Sequence, residues 1–504
     1  PPSAMRPTPP QPATATVPQV ASTPPSSPSP PATQPTPTPS QTLTAATPKR
    51  SFSKKIIMML GGLFILTLLG AGVFWFLNRD SNTPSTQPDT SAGQTNRQVV
   101  SGTQTTITYW GLWEPSEVLK GVLADFEEEN QGVTVAYTQQ SYKDYRERLQ
   151  SSIANGSGPD VFRFHASWVP MLKKELSPVP NSVISTSSFQ SAYYPIASQQ
   201  LQSQGQLLGI PLMYDGLALY YNKELLRTAN AQPPKTWSDL RTLAKQLTVS
   251  DGSTIQRGGL AAGNATNVEH FSDIIGLLML QNGADITKPN TAQARDALLF
   301  YTNFIRADNV WSDTLPSSTV AFARGDAAMM FAPSWRVHEI KALNPQLDFA
   351  IAPVPQLTDE SIAWGTYWAE GVSTASEDQD AAWKLISYLS SDDVLRKLHS
   401  DASQVRAFGE LYPKPAMAAE IDTNELVQPF LADAEHAQGG YLSSYTHDNG
   451  INDQLIEYYE RGVTSLLSGQ SIDAVMTTIE QGTTQVLRTY GLTTTSTTTS
   501  TTTQ

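Results

Sequence analysis

Short β-rich runs alternate with amphipathic helical stretches between residues 105 and 492. The runs TITYWGL, GVTVAYTQQ and PDVFRFH predict strands, and the stretches between them predict helices. The first predicted helix carries on one face Val118, Val122, Leu123 and Phe126. This alternation is typical of a mainly parallel sheet covered by helices, whose ligands lie beyond the carboxyl ends of the strands.

The same pattern continues to the end of this body. A helix begins after Thr236 in PPKTWSDLRTLAKQL, another follows in AAWKLISYLSS, and INDQLIEYYERGVTSLL and SIDAVMTTIEQGTTQVL predict two more. Residues 105–492 are too many for one such sheet. We therefore expect an α/β body of two lobes.

The segments outside this body have a different composition. Residues 1–55 are rich in Pro, Thr and Ser and predict a disordered tail, because they contain almost no large apolar side chains to bury. Residues 78–104 predict a flexible linker, and residues 493–504 form a Thr/Ser-rich tail.

Between the N-terminal tail and the linker lies an uncharged apolar segment, Ile56–Leu77. At about 1.5 Å per helical residue it matches the bilayer core of about 30 Å, so it predicts one transmembrane helix. The alternative is a cleaved signal peptide, whose apolar core is shorter, roughly 7–15 residues. Basic side chains cluster at residues 49–55. The positive-inside rule therefore places residues 1–55 in the cytoplasm and the body on the extracytoplasmic side, at the cell surface or in the periplasm.

The composition excludes several kinds of site. This chain has no cysteine, which excludes disulfides, thiolate metal sites, cysteine nucleophiles and a lipidated cysteine anchor. The net charge is −13, and every acidic residue lies after residue 55. So acidic a body is a poor candidate for binding nucleic acid.

No motif indicates catalysis. The six histidines are scattered, without HExxH or a pair at helical spacing, and no G-x-S-x-G serine elbow or phosphate-binding loop is present. Glu114, Asp160, Asp215 or Glu370 could supply a glycosidase pair, although carboxylates more often form hydrogen bonds or face solvent. We therefore expect a protein that is not an enzyme and that uses no cofactor or metal.

Tryptophans give a clearer signal. Several stand in predicted loops at strand ends: Trp110, Trp113, Trp168, Trp335, Trp364 and Trp368. Aromatic faces stack on the C–H faces of sugar rings, while sugar hydroxyls bond to nearby polar side chains. A single tryptophan more often packs in a core, but the set favours a carbohydrate ligand.

Four stretches of the body contain recognisable sequence motifs in addition to apolar periodicity. They are SGPDVF, GIPLMYDGLALYYNKELL, VAFARGDAAMMFAPSW and AEGVSTASEDQDAAWKLISYL. In order and spacing they resemble the extracellular solute-binding proteins of ATP-driven sugar importers, the family of the maltose-binding protein. The resemblance covers residues 105–492. Within these stretches we expect Asn222 to cap a helix and Asp160 to accept backbone hydrogen bonds. We also expect Gly325 to allow a close strand approach beside a buried strand.

The resemblance implies an α/β, two-lobed periplasmic-binding-protein fold of type II, maltose-binding-protein-like, preceded by one transmembrane helix. Its hinge would have three crossovers, near residues 214, 368 and 435. Lobe I would comprise about 105–214 and 371–430. Lobe II would comprise about 215–370 and 431–492.

Matching the family's ligand positions one at a time implies a site between the lobes. Asp215 matches an acidic residue at the first crossover, and Trp335 matches a stacking tryptophan of the second lobe. Ser167 and Trp168 stand where the maltose-binding protein has charged residues, which would change the sugar that fits. The implied ligand-binding residues are Trp113, Glu114, Phe164, Ser167, Trp168, Asp215, Trp335, Tyr367, Trp368 and Tyr445.

The function implied by the resemblance is that of a membrane-anchored receptor. It would capture a carbohydrate, expected to be an oligosaccharide, by hinge closure and deliver it to ABC permease subunits with a cytoplasmic ATPase. We expect a monomer, held to the membrane by residues 56–77. The alternatives are an anchored carbohydrate-active enzyme, a sensory or adhesive sugar-binding module, and a receptor for a non-sugar polar solute.

Overall fold

The computed structural model describes residues 104–492. The predicted N-terminal tail, transmembrane helix and C-terminal tail, and nearly all of the linker, lie outside this range. Within it, no helix combines the length and the apolarity needed to cross a bilayer.

Short strands and helices alternate throughout the described residues. The strands are β1 (Thr105–Gly111), β2 (Val133–Gln139), β3 (Val161–His165), β4 (Gln202–Ser203), β5 (Gln206–Leu207), β6 (Ile210–Pro211), β7 (Ala218–Asn222), β8 (Val249–Asp251), β9 (Thr254–Arg257), β10 (Met329–Ala332), β11 (Phe349–Ala352), β12 (Ala363–Trp364), β13 (Trp368–Val372) and β14 (Ala437–Gln438). The helices are α1 (Ser116–Glu129), α2 (Tyr145–Ala154), α3 (Val169–Leu172), α4 (Thr186–Ala192), α5 (Pro195–Gln200), α6 (Lys223–Thr228), α7 (Trp237–Leu247), α8 (Phe271–Gln281), α9 (Ala292–Arg306), α10 (Ser318–Arg324), α11 (Arg336–Leu343), α12 (Gln379–Leu389), α13 (Asp392–Ser403), α14 (Pro415–Ala418), α15 (Gln428–Leu431), α16 (Ile451–Leu467) and α17 (Ile472–Thr489). Two 3-10 turns lie at Ala166–Trp168 and Ala434–His436.

The sheet of lobe I confirms the predicted parallel arrangement. Its strand order is β2-β1-β3-β13-β6, and β1 is parallel to both β2 and β3. The helix α1 buries the predicted apolar face, namely Val118, Val122, Leu123 and Phe126. β13 is antiparallel to β3, with Trp368 opposite His165. The carboxyl ends of three strands and the start of β13 therefore meet at one edge of the sheet.

The sheet of lobe II does not follow the mainly parallel prediction. Its order is β10-β7-β11, and both pairings are antiparallel. The cause is the path of the chain, since β7 leads away from the hinge while β10 and β11 return towards it. Ala218 at the start of β7 therefore lies opposite Ala332 at the end of β10.

Three connections join the two lobes. Gly216 in the first and Gly365 in the second form an antiparallel bridge, and β14 in the third pairs with β12. A Cβ atom on Gly216 would lie 2.7 Å from the carbonyl oxygen of Trp364, so this position requires glycine. The two-lobed α/β architecture is thus observed, while the residue-level lobe boundaries stay predictions.

Most local predictions are confirmed and one is wrong. The Asn222 side chain caps α6 by accepting the N–H of Leu225 at 3.0 Å, and Asp160 accepts the N–H of Thr108 at 2.8 Å. The strand β10 is buried along its length. Gly325, however, has open space around it and ends α10 with a φ of +84°. Its role is to adopt a left-handed conformation, not to admit a close strand.

Candidate functional site

An aromatic belt runs along the facing edges of the two lobes. In spatial order it consists of Trp168, Trp368, Trp113, Tyr142, His447, Tyr445 and Trp335, with neighbouring ring centroids 4.4–5.9 Å apart. Every exposed large aromatic side chain among residues 104–492 belongs to this belt: Trp113, Tyr142, Trp335 and Tyr445, each 37–49% exposed. A concentration of exposed aromatic surface in one place is typical of a binding site.

The sheet edges explain how the belt forms. Trp113, Tyr142 and Trp168 each follow one of the three parallel strands of lobe I. Because these strands end at one edge, their loops converge there. Trp335 follows β10 of lobe II, and the third connection supplies Tyr445 with its neighbour His447.

Several belt residues have an unfavourable backbone conformation. The φ angles of Trp113, Tyr445 and His447 are +71°, +58° and +52°. Left-handed conformations are sterically costly for residues other than glycine and are enriched at functional sites. The surrounding contacts must therefore hold these loops in place.

On lobe I, a buried ion network supplies those contacts. Arg163 Nε donates to Glu370 Oε1 at 2.6 Å, and Nη1 donates to the carbonyl of Leu112 at 3.1 Å and to the Glu114 carboxylate. The hydroxyl of Tyr109 donates to Glu370 at 2.9 Å. Burial raises the pKa of Glu114 to about 7, although Arg163 opposes this shift. Arg163 thus fixes the turn that carries Trp113.

On lobe II, an arginine lies beneath the rings themselves. The guanidinium carbon of Arg336 is 4.2 Å from the Trp335 ring centroid and 4.7 Å from that of Tyr445. Its Nε donates to His270 Nε2 at 3.0 Å, so the proton of His270 is on Nδ1, 2.8 Å from Ser444 Oγ. Burial lowers the pKa of His270, which keeps this acceptor available to Arg336.

Asp215 connects the hinge to the loop of Trp335. Its Oδ1 accepts the N–H groups of Gly216 at 2.7 Å and of Ser334 at 3.0 Å, and its Oδ2 accepts the Ser334 hydroxyl at 2.9 Å. Burial raises the pKa of Asp215 to about 7, even though these hydrogen bonds favour the carboxylate. Asp215 therefore couples the first crossover to the wall of the cleft.

The third connection is tied to lobe I. Arg146 Nε donates to the carbonyl of Asp448 at 2.6 Å. Asn452 Nδ2 donates to Ser167 Oγ at 2.7 Å, and Ser167 Oγ also lies 2.7 Å from His165 Nδ1. The loop that carries Tyr445 is thereby held against the edge of the first sheet.

The ten predicted ligand residues occupy three kinds of environment. Four line the belt with accessible or partly accessible rings: Trp113, Trp335, Trp368 and Tyr445. Three take part in the polar networks above: Glu114, Ser167 and Asp215. Three are buried: Phe164, Trp168 and Tyr367. The ring of Phe164 fits beneath Gly209 and Gly371 inside lobe I. Ligand contact by each of the ten stays a prediction.

The sequence reasoning missed four residues that shape the site. Tyr142 follows β2, so the strand-end rule that indicated Trp113 would also have found it. Arg163 is a charged residue inside the apolar run VFRF, which is itself a signal. Arg336 and His447 gave no signal beyond their proximity to Trp335 and Tyr445.

Three tryptophans predicted in loops lie in strands instead, and one of them is Trp368, the first residue of β13. Trp110 is part of β1, and Trp364 is part of β12, where it is buried and its Nε1 donates to Asp273 Oδ1 at 2.8 Å. Residues 104–492 also contain no group of three His, Asp or Glu side chains placed to hold a metal ion. The arrangement offers ring faces for stacking and carboxylates for hydrogen bonding.

Comparison with known proteins gives a consistent result. The model of a family described as bacterial extracellular solute-binding protein matches residues 121–423. The maltodextrin-binding protein MdxE of Bacillus subtilis is 25% identical over 340 residues, covering 64% of this chain and 76% of that protein. A Sinorhizobium fredii protein named "Probable amino-acid ABC transporter periplasmic-binding protein" is 23% identical over 359 residues, covering 67% of this chain and 78% of that one. The structure of the sugar-binding protein MalE from Xanthomonas citri matches with a TM-score of 0.64 at 24% identity, covering 76% of this chain and 98% of that one.

Proposed function

The chain belongs to the bacterial extracellular solute-binding protein family, and from this premise we propose that it captures a carbohydrate between its lobes for an ATP-driven importer. The observation that carries the proposal is the aromatic belt. Its exposed rings come from both lobes, so a sugar bound there contacts both. The length of the belt favours an oligosaccharide over a single sugar ring.

Capture proceeds by hinge closure. The ligand stacks on Trp113 and Tyr142 of lobe I, and closure brings Trp335 over its other face. Sugar hydroxyls bond to Asp215 at the side of the cleft. Ligand binding favours the closed state because only that state makes both sets of contacts.

The names of the relatives support a sugar but include another solute. The Bacillus subtilis relative is named for maltodextrin and the Sinorhizobium fredii relative for an amino acid. The belt favours the first, since stacked rings suit sugar faces. An amino acid would instead require a charged pair at the belt, where Arg163 and Arg336 already contact carboxylates.

We further propose that residues 56–77 anchor the receptor in the membrane. The supporting observation is an uncharged apolar segment in a chain without a cysteine for lipidation. Such an anchor would keep the receptor near its permease by raising its effective concentration there.

A thermal-shift experiment on the full-length chain in detergent tests the sugar proposal. A ligand at about 100 times its dissociation constant adds about 2.7 kcal/mol to the free energy of unfolding. We expect a maltodextrin or a related oligosaccharide to raise the melting temperature and to be recovered unchanged. The shift should vanish in Trp335→Ala and persist in Tyr388→Ala, a half-buried aromatic control on α12. A shift with amino acids alone would refute the sugar ligand, and cleavage of the oligosaccharide would refute the receptor function.

A further inference from the structure

A cavity lies between the lobes, apart from the aromatic belt. None of the belt residues lines it. Its volume is about 480 Å³, within the range of roughly 300–1,000 Å³ typical of small-molecule sites. Its wall combines parts of lobe I with parts of lobe II and the third connection, drawn from residues 166–173, 199–204, 280–287, 439–441 and 490–492. Of the ten predicted ligand residues, Ser167 alone lines this cavity.

Two amide groups in the wall have no partner. Gln200 Oε1 and Gln202 Nε2 are buried and form no hydrogen bond with any group of residues 104–492. Leaving a buried polar group unpaired is unfavourable, so a hydrogen-bonding partner there would be stabilising. Both glutamines line the cavity, and the unpaired atoms are an acceptor and a donor, which suits an occupant with hydroxyl groups.

Two glycines in the wall allow close packing of their neighbours. A Cβ atom on Gly439 would lie 2.4 Å from Gln200 Nε2, and one on Gly440 would lie 2.8 Å from Ile286 Cδ1. Neither glycine has a φ in the left-handed region, so backbone conformation does not explain them. Their effect is to let the side chains of Gln200 and Ile286, which line the cavity, pack closely against the third connection.

The remaining lining favours an uncharged occupant. The rim carries one cationic residue, Lys173, and one anionic residue, Asp285. The Asp285 carboxylate already accepts the N–H of Thr287 at 2.8 Å and its hydroxyl at 2.6 Å. Tyr441 and Tyr490 complete the lining with ring surface, which suits the C–H faces of a polyol or a sugar.

We propose that this interlobe cavity is a second binding site, for a small uncharged polyhydroxyl compound. Its wall includes both lobes, so its occupant has different contacts when the lobes move. Binding free energies at two coupled sites are reciprocal. The occupant and the ligand of the cleft therefore change each other's affinity by the same factor.

Isothermal titration of the full-length chain with xylitol and with glucose tests this proposal. The Trp335→Ala variant is used, so that binding in the cleft is strongly weakened. We expect one probe to bind this variant, and the added pair Gln200→Ala and Gln202→Ala to weaken that binding at least about tenfold. Gly440→Ala, which would displace the Ile286 side chain in the wall, should act in the same direction. Gln206→Ala on the neighbouring strand β5, outside the lining, is the matched control and should leave binding unchanged.

Three outcomes would overturn the second site. The first is that neither probe binds, which would indicate a cavity filled by water only. The second is binding that the Gln200 and Gln202 substitutions do not change. The third is binding that is seen in the unmodified chain and lost in Trp335→Ala, because it would then belong to the cleft. Melting curves of each variant without probe separate a local loss of binding from a failure to fold.

Discussion

The two faces of the cleft hold their aromatic side chains by different means. On lobe I, Trp113 depends on Arg163, whose side chain is 3% exposed and whose partners Glu114 and Glu370 are 7% and 0% exposed. On lobe II, Trp335 lies against Arg336, whose carboxylate partners are 17% and 39% exposed. One arginine is therefore enclosed with its counter-ions, while the other shares its counter-ions with water.

This difference predicts a fixed face on lobe I, around Trp113 and Arg163, and an adjustable face on lobe II, around Trp335 and Arg336. A buried ion network is stable only when it is complete, because removal of one member leaves an uncompensated charge in a medium of low polarity. An arginine stacked on a ring beside accessible carboxylates can move with that ring at little cost. We therefore expect substitutions on lobe I to change stability and those on lobe II to change affinity.

The largest effect is expected for Arg163→Met. It leaves Glu114 and Glu370 buried without a cation, which should lower the free energy of unfolding by about 3–5 kcal/mol. Urea denaturation followed by tryptophan fluorescence measures the change. The triple variant that adds Glu114→Gln and Glu370→Gln should recover most of the loss. A loss below about 1 kcal/mol would contradict the assignment of a fixed face.

The next largest effect is expected for the pair Trp335→Ala and Trp113→Ala. Both remove a stacking surface and should weaken carbohydrate binding by about 10- to 100-fold, as measured by titration calorimetry. Trp113→Ala should lower the melting temperature more than Trp335→Ala, because the turn of Trp113 is bonded to the buried ion network, whereas Trp335 packs on Tyr445 and Arg336, which can adjust. Equal losses of stability in the two variants would remove the distinction between the faces.

Arg336→Lys should have a weaker effect on affinity. Lysine keeps the charge but loses the planar group that lies over Trp335 and bonds to His270, so binding should weaken by about 0.5–2 kcal/mol. Unfolding should change less than in Arg163→Met. If Arg336→Lys kept its carbohydrate affinity but had a much lower free energy of unfolding, Arg336 would stabilise the fold as Arg163 does.

The smallest expected effect is a pH dependence at the hinge. Burial raises the pKa of Asp215 from 3.8 to about 7, so the folded state holds this proton more tightly than the unfolded state. The stabilisation is fully present below the unfolded pKa and is lost as the pH rises towards 7. Asp215→Asn should flatten the decline of stability across that window in thermal melts, since an amide can keep the bonds to Ser334. An unchanged slope would contradict the shift.

Much of the fold followed from local sequence. The spacing of apolar residues predicted α1, and the alternation of elements predicted the parallel strands, because both depend on near neighbours in the chain. The antiparallel sheet of lobe II did not follow. Its strand directions depend on where the chain crosses the hinge, which no local pattern records.

The exposed aromatic residues of the site were predictable from the sequence, whereas the buried residues that support them were not. Trp113 and Trp335 stood out because large aromatics follow strand ends. The roles of Arg163 and Arg336 depend on residues 49 and 66 positions away, so only the assembled fold reveals them. Phe164 lies on the strand β3, where sequence alone could not decide between cleft and core.

The belt residues with left-handed backbone conformations favour ligand binding at the expense of thermal stability. Tyr445 and His447 would both be relaxed by glycine, which adopts such angles without the penalty of about 1–2 kcal/mol met by other residues. A lineage of this protein selected only for survival of heat would therefore tend to exchange these side chains for glycine. Its members would become more thermostable while losing the surface that recognises their ligand. The non-glycine side chains therefore persist at these positions only where solute uptake is under selection.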